Sequence, residues 1–277
     1  MRSSIFKRIR LPSSRLLVLG LAVFALAACS SSDDENAYVE RPVAALYNTA
    51  LNQLNAGEFQ QAAAAFDEVE RQHPYSVWAI KAQLMSAYAY YQNNDYDEAI
   101  VALDRFIQLH PGNKDISYAH YLRGLSYYEQ IVDVGWDQKM TELALQNLSD
   151  LVNRFPDSKY TRDAQLKIDL TRDHLAGKEM EIGRYYQGQR QHLAAINRFK
   201  LVIDRYQTTT HVPEALHRLT ESYLELGLTD QATKTAATLG HNFPGSEWYI
   251  DSYQIVEGKQ VRPKEEKKAP WYWPFGK

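Results

Sequence analysis

The chain has 277 residues, 31 Lys and Arg against 34 Asp and Glu, and 45% hydrophobic residues, the profile of a soluble globular chain of one or two domains. Collagen-like, coiled-coil and disulfide-scaffold classes are excluded, since Gly is 13, Pro is 10 and a single Cys cannot close an internal bridge. A net charge of -3 offers no concentrated basic excess for neutralising phosphates, which argues against nucleic acid as a partner.

At the N-terminus, Arg2, Lys7, Arg8, Arg10 and Arg15 precede an uncharged stretch from Leu16 to Ala28 (LLVLGLAVFALAA). That is a basic region, an apolar run too short to span a bilayer, and small residues at its end, so residues 1–28 read as a signal peptide. The segment Leu26-Ala27-Ala28-Cys29 resembles the bacterial lipobox, and the only cysteine falls at the one position where a lipobox needs it. The resemblance implies S-diacylglycerol and N-acyl lipid on Cys29, and two or three chains hold a protein on a bilayer stably. Ser30, where an inner-membrane lipoprotein often carries Asp, implies sorting to the outer membrane. Residues 29–41 then read as a short acidic tether. Removing residues 1–28 takes away five basic residues and no acidic ones, leaving 26 against 34, a net charge of -8.

Beyond the tether a helix ending recurs: His73-Pro74-Tyr75-Ser76, His110-Pro111-Gly112-Asn113, Phe155-Pro156-Asp157-Ser158, Tyr206-Gln207-Thr208-Thr209 and Phe243-Pro244-Gly245-Ser246. Twelve residues before each proline slot stand Ala62, Ala99, Ala144, Ala195 and Ala232. Eight before stand Phe66, Leu103, Leu148, Phe199 and Ala236, and five before stand Val69, Phe106, Leu151, Val202 and Leu239. One amphipathic helix is thus written five times. Upstream of each lies a partner helix with a small residue at Ala50, Ala87, Gly124, Gly183 or Thr220, followed three residues on by Gln53, Tyr90, Tyr127, Tyr186 or Tyr223. The spacing resembles the tetratricopeptide (TPR) repeat, with Gln53, Gln207 and Thr220 departing from its pattern.

Intervals between proline slots are 37, 45, 51 and 37 residues. The eight extra residues of the second interval fall near Ile131 to Lys139, where Gly135 and the polar residues predict a loop. The fourteen extra residues of the third precede Gly183 and amount to about four turns of 3.6, which leaves the packing face almost unrotated. One helix of roughly 28 residues is therefore predicted, its middle projecting or bridging two halves. The expected fold is all-α: a right-handed superhelical solenoid of five TPR-like pairs, with repeats 1–3 over 42–158 and the long helix and repeats 4–5 over 159–258. Residues 259–277 read as a disordered tail whose cluster Trp271-Tyr272-Trp273-Pro274-Phe275 is either a docking element or a chance apolar end.

No chemistry-bearing constellation emerges. The eight histidines are scattered, His211-Glu214-His217 is interrupted by Pro213, and no phosphate loop or nucleophile elbow is present. The reading is that the chain is not an enzyme and takes no metal or other cofactor besides the Cys29 lipid. Function must then lie in binding surfaces. In a TPR stack the first helix of each pair lines the concave face, at positions three before, one after and four after its small residue. These are Tyr47, Leu51 and Leu54, then Leu84, Tyr88 and Tyr91, then Tyr121, Leu125 and Tyr128. Such a groove suits an extended aromatic-rich peptide, with hydroxyls for its backbone; the alternative is plain packing against the next repeat. The same slots in repeat five, His217, Glu221 and Leu224, are mostly polar, so the two halves are expected to bind different things.

The strings YAYYQNNDYDEAIVALDRFIQLHPGNKDISYAHYLRGLSYY (Tyr88 to Tyr128) and LVNRFPDSKYTRDA (Leu151 to Ala164), with the lipobox and the repeats, resemble the BamD family of β-barrel assembly lipoproteins. The resemblance implies a lipid-anchored protein on the periplasmic side of the outer membrane. It also implies recognition of unfolded outer-membrane proteins, docking on the POTRA domain of BamA, and contact with the other Bam lipoproteins. It places the BamA-facing surface around Arg198, Arg205 and Arg218. Two rivals remain open: a periplasmic TPR adaptor for envelope constriction or cell-wall machinery, and a lipid-anchored cell-wall enzyme.

Overall fold

The computed structural model describes residues 40–258; the signal segment, Cys29, the tether before Glu40 and the tail from Lys259 lie outside the described residues. Among the described residues there are eleven helices and no strand. In chain order they are α1 Val43–Asn55, α2 Phe59–Gln72, α3 Val77–Gln92, α4 Tyr96–Leu109, α5 Ile116–Tyr128 and α6 Lys139–Arg154. They continue with α7 Thr161–Gly188, α8 His192–Arg205, α9 Val212–Glu225, α10 Thr229–Asn242 and α11 Glu247–Glu257. Each helix packs on its sequence neighbours, so the array from α1 to α11 is a solenoid.

The repeat arithmetic is realised atom by atom. Ala62, Ala99, Ala144, Ala195 and Ala232 have no exposed surface, and Phe66, Leu103, Leu148 and Phe199 are equally buried. A side chain added to Gly124 would sit 2.6 Å from Leu148 Cδ2, and one added to Gly183 would sit 2.4 Å from Phe199 Cε1. The small residue therefore exists because the second helix of each pair presses its bulkiest side chain against that backbone.

The recurring helix ending is a hydrogen-bonded turn. His73, His110, Phe155, Tyr206 and Phe243 cap α2, α4, α6, α8 and α10, each N–H donating to the carbonyl four residues back. Three residues on, the N–H groups of Ser76, Asn113, Ser158, Thr209 and Ser246 donate back to the capping residue's carbonyl at 3.0 to 3.1 Å. The fourth turn lacks proline yet keeps this geometry, because Thr209 Oγ1 adds a bond to the Tyr206 carbonyl at 2.8 Å. In four of the five pairs the connection uses one left-handed residue: Gly57, Asn94 and Gly227 supply it with little strain, and Arg190 holds it at φ 60°, while the longer loop of repeat three needs none.

The long helix has the 28 residues that the spacing requires. Its first half closes repeat three through Ala164 and Ile168, which share a core with Leu148 and Leu151. Its second half opens repeat four through Ala176 and Met180. The middle is braced on two sides rather than projecting freely. Lys178 donates to the Gly135 carbonyl at 3.1 Å, and Val134 lies beside Gly177, so the loop inserted in repeat three supports the helix inserted after it. On the other side Asp173 accepts from Thr210 N–H at 2.9 Å and Thr210 Oγ1 at 2.8 Å, which ties α7 to the turn before α9.

Helix α11 stands outside the five pairs read from the repeat spacing. It repeats the start of α3: Ser246 Oγ accepts from Trp248 N–H at 3.2 Å as Ser76 Oγ does from Trp78 N–H. Gly240 of α10 makes room for it, since a side chain there would meet the Tyr249 ring at 2.4 Å. It is a sixth first helix, ended at Gly258 in the left-handed conformation.

Candidate peptide-binding groove

The nine groove positions divide by burial. Leu84 and Leu125 are 8% and 9% exposed and belong mostly to packing between helices. Leu51 and Leu54 are half-buried against the first core cluster. The five tyrosines, Tyr47, Tyr88, Tyr91, Tyr121 and Tyr128, are half-buried and form the groove's aromatic face. Tyr47 stands edge-on to Phe66 and Trp78, with centroids 5.4 and 4.8 Å away. Farther along, Tyr121 stacks on Tyr160 at 4.9 Å and Tyr118 meets Tyr160 at 5.3 Å, so two tyrosines outside the predicted set join the row.

The tyrosine hydroxyls are not all free for a ligand. Tyr91 donates to Glu129 Oε1 at 3.3 Å, and Tyr121 donates to Asp163 Oδ2. Burial, with the Glu129 charge and its hydrogen bond, pushes the Tyr91 phenol up to about 12. Burial and the hydrogen bond to Asp163 raise Tyr121 as well, so both remain protonated donors at neutral pH.

A recess opens at each end of this row. The first, about 430 Å³, is lined by Tyr47, Val77, Ile80, Leu84, Met85 and Phe106, with Lys81 at its edge. The second, about 620 Å³, lies between α5, the loop after it and α7, and is lined by Tyr128, Glu129, Ile131, Val132, Asp133, Leu170, Thr171 and His174. Leu166 and Leu170 of α7 are 60% and 59% exposed, and sequence reasoning passed over both. They stand ten and fourteen residues after Pro156, as Leu84 and Tyr88 stand after Pro74 and Tyr121 and Leu125 after Pro111. Counting from that proline, rather than from Gly183, would have found this fourth rung.

In repeat five the first of the corresponding positions is closed. His217 is 5% exposed, its Nδ1 is 2.9 Å from Ser252 Oγ of α11, and its ring lies against Trp248 at 5.2 Å. Glu221 receives Arg218 Nη1 at 3.1 Å and lies 3.4 Å from His217 Nε2. Burial disfavours the Glu221 carboxylate, yet the hydrogen bonds and charges of His217 and Arg218 prevail and lower its pKa. Helix α11 therefore closes the His217 slot, whereas Arg218 and Glu221, with Arg184, Gln187, Arg190 and His192, line a polar recess of about 640 Å³.

The three arginines assigned to a partner surface differ in availability. Arg198 pairs with Glu179 at 2.9 Å, and Arg218 pairs with Glu214 and Glu221 while lying over the Trp248 ring at 5.5 Å. Arg205, in the last turn of α8, is exposed. Among the described residues no cluster of His, Cys, Asp and Glu could hold a metal ion, and no helix is long and apolar enough to cross a membrane.

A solenoid of helix pairs with a row of half-buried tyrosines in one half and a polar, ion-paired surface in the other defines a TPR-type scaffold. The family model described as outer membrane lipoprotein (YfiO) matches residues 39–239. The chain is 53% identical over 229 residues to the outer membrane protein assembly factor BamD of Caulobacter vibrioides, covering 83% of this chain and 75% of that one. It is 47% identical over 247 residues to the BamD of Rickettsia prowazekii, covering 89% and 97%. Among solved structures it is similar to the TPR domain of P58(IPK), with a TM-score of 0.40 and 14% identity over 89% of this chain and 61% of that one. The chain belongs to the BamD (YfiO) family of outer membrane lipoproteins.

Proposed function

We propose that the protein is a non-catalytic, lipid-anchored scaffold of outer-membrane β-barrel assembly, held on the periplasmic face of the outer membrane by acylated Cys29. Its relatives are outer membrane protein assembly factors, and the lipobox, the acidic tether and the absence of a spanning helix among the described residues agree with a peripheral anchor. The first three repeats receive the aromatic targeting segment of an unfolded outer-membrane protein. The observation that carries this is the row of half-buried tyrosines with a largely apolar recess at one end and a mixed apolar and acidic recess at the other, which offers flat contact area to alternate side chains of an extended peptide. The last two repeats dock on the POTRA domain of BamA, with Arg205 the most available of the three arginines, and the remaining surface serves other Bam lipoproteins.

Affinity isolation from detergent-extracted membranes, read by mass spectrometry, tests the assembly role. Recovery of a POTRA-containing barrel protein is expected, and recovery of division or cell-wall proteins without it contradicts the reading. Cys29→Ala is expected to move the protein from the membrane to the soluble periplasmic fraction; unchanged membrane fractionation would refute the anchor.

A further inference from the structure

The recess between α5 and α7 has a chemistry of its own. Its apolar wall is Tyr128, Ile131, Val132 and Leu170, and its charged lining residues are the carboxylates of Glu129 and Asp133, both exposed. No Lys or Arg lines it. His174 also lines it, and His174 Nε2 is enclosed without a hydrogen-bond partner among the described residues. A buried polar nitrogen left unpaired costs about 1–3 kcal/mol, and a neutral imidazole nitrogen donates or accepts according to its tautomer, so a polar contact from an occupant would stabilise this wall of the recess. The complementary ligand is thus a flat apolar body with a polar edge, flanked by positive charge.

One segment of this chain has that composition. Residues 259–277 carry six basic residues against two acidic, and Lys267-Lys268 lie three residues before Trp271, in a run that continues Trp271-Tyr272-Trp273-Pro274-Phe275. An indole is planar, apolar and carries a single N–H donor. The thirteen residues from Gly258 to Trp271 reach about 45 Å when extended. The path along the packed helices from His174 to Arg184, across to Glu214 of α9, on to Ser252 of α11 and down to Gly258 is also about 45 Å, and the straight line is shorter.

We infer that the C-terminal segment docks on its own groove, with a tryptophan of Trp271-Tyr272-Trp273 in the recess against Leu170 and Tyr128, and Lys267 and Lys268 beside Glu129 and Asp133. The contact stands apart from what else the groove binds; its consequence, competition with an incoming aromatic segment, rests on the groove reading above.

Hydrogen–deuterium exchange on the full mature chain tests it, followed in peptides covering 128–135 and 166–175. Trp271→Ala with Trp273→Ala, and separately Lys267→Glu with Lys268→Glu, are expected to raise exchange there at least threefold, with exchange in α10 unchanged. Glu129→Lys with Asp133→Lys should do the same, and combining it with the lysine reversals should restore protection. Unchanged exchange in all variants overturns the proposal. Protection that appears only as protein concentration rises also overturns it, since the segment then binds a second copy. A chain ending at Gly258 retains every described helix and separates the two readings. If the segment never docks but that chain binds an aromatic targeting peptide, only the inference fails; if it binds neither that peptide nor a synthetic 259–277, the groove reading fails with it.

Discussion

Two halves built on one repeat arrive at opposite surfaces. In α1, α3 and α5 the predicted slots hold five half-buried tyrosines beside four leucines, and the row ends in open recesses. In α9 the same slots hold His217 and Glu221, which are occupied by Ser252, Trp248 and Arg218. The backbone register is common to both, so the difference lies in which side chains fill it and in whether a further helix covers them. A solenoid can in this way carry an aromatic row in one half and a polar, ion-paired surface in the other with little change of architecture.

The largest test of this contrast removes the cover. Trp248→Ala takes away the ring packed on His217 and Arg218 and is expected to cost about 2–3 kcal/mol in urea unfolding, near the lower end for an aromatic truncation. A cost below about 0.5 kcal/mol would mean that α11 does not hold repeat five closed.

Acid should separate the halves by pH window. His120 in α5 is 4% exposed, and burial together with the Arg123 and Arg154 charges lowers its pKa to about 4. Its folded value lies below the unfolded value near 6.5, so the unfolded chain takes up the proton first as pH falls. Stability from this group is complete above about 6.5 and is lost between there and about 4, by up to roughly 3 kcal/mol. Glu221 also has a lowered pKa, so its contribution is present above about 4.5 and is lost only below that. Exchange measured as a function of pH is expected to show α5 and α6 loosening before α9 and α11. His120→Phe should remove the upper window, and an unchanged profile would show that His120 does not control it.

A smaller effect probes the joint between the halves. Asp173→Ala removes both acceptor contacts to Thr210 and is expected to cost about 1 kcal/mol, comparable to losing a helix cap. The same variant should raise exchange in the 131–138 loop if the two insertions form one junction.

Much of this was legible in the sequence because the repeat spacing encodes direct contacts. The alanine slots, the bulky residues pressing on Gly124 and Gly183, and the length of α7 all follow from counting between helix endings. Helix α11 escaped because only five endings exist to count from, although Ser246-Glu247-Trp248 repeats the capped start at Ser76-Val77-Trp78. The fourth rung at Leu166 and Leu170 escaped because the inserted residues give α7 two registers, and only the later one was read. Polar pairing between helices was not legible, although pairs within one helix, such as Arg218 with Glu214, follow the local spacing. Arg198 meets Glu179 nineteen residues away, and Tyr121 meets Asp163 forty-two residues away, separations that a local pattern cannot report.

The central claim is that the first three repeats, and not the last two, hold the peptide. Titration calorimetry with a synthetic peptide ending in an aromatic outer-membrane targeting segment tests it most directly, on the mature chain and on two variants. Tyr88→Ala with Tyr128→Ala is expected to weaken binding at least tenfold, about 1.4 kcal/mol, while Arg184→Ala with Arg205→Ala leaves it within twofold. Equal affinity in the tyrosine variant, or a loss confined to the arginine variant, would contradict the account.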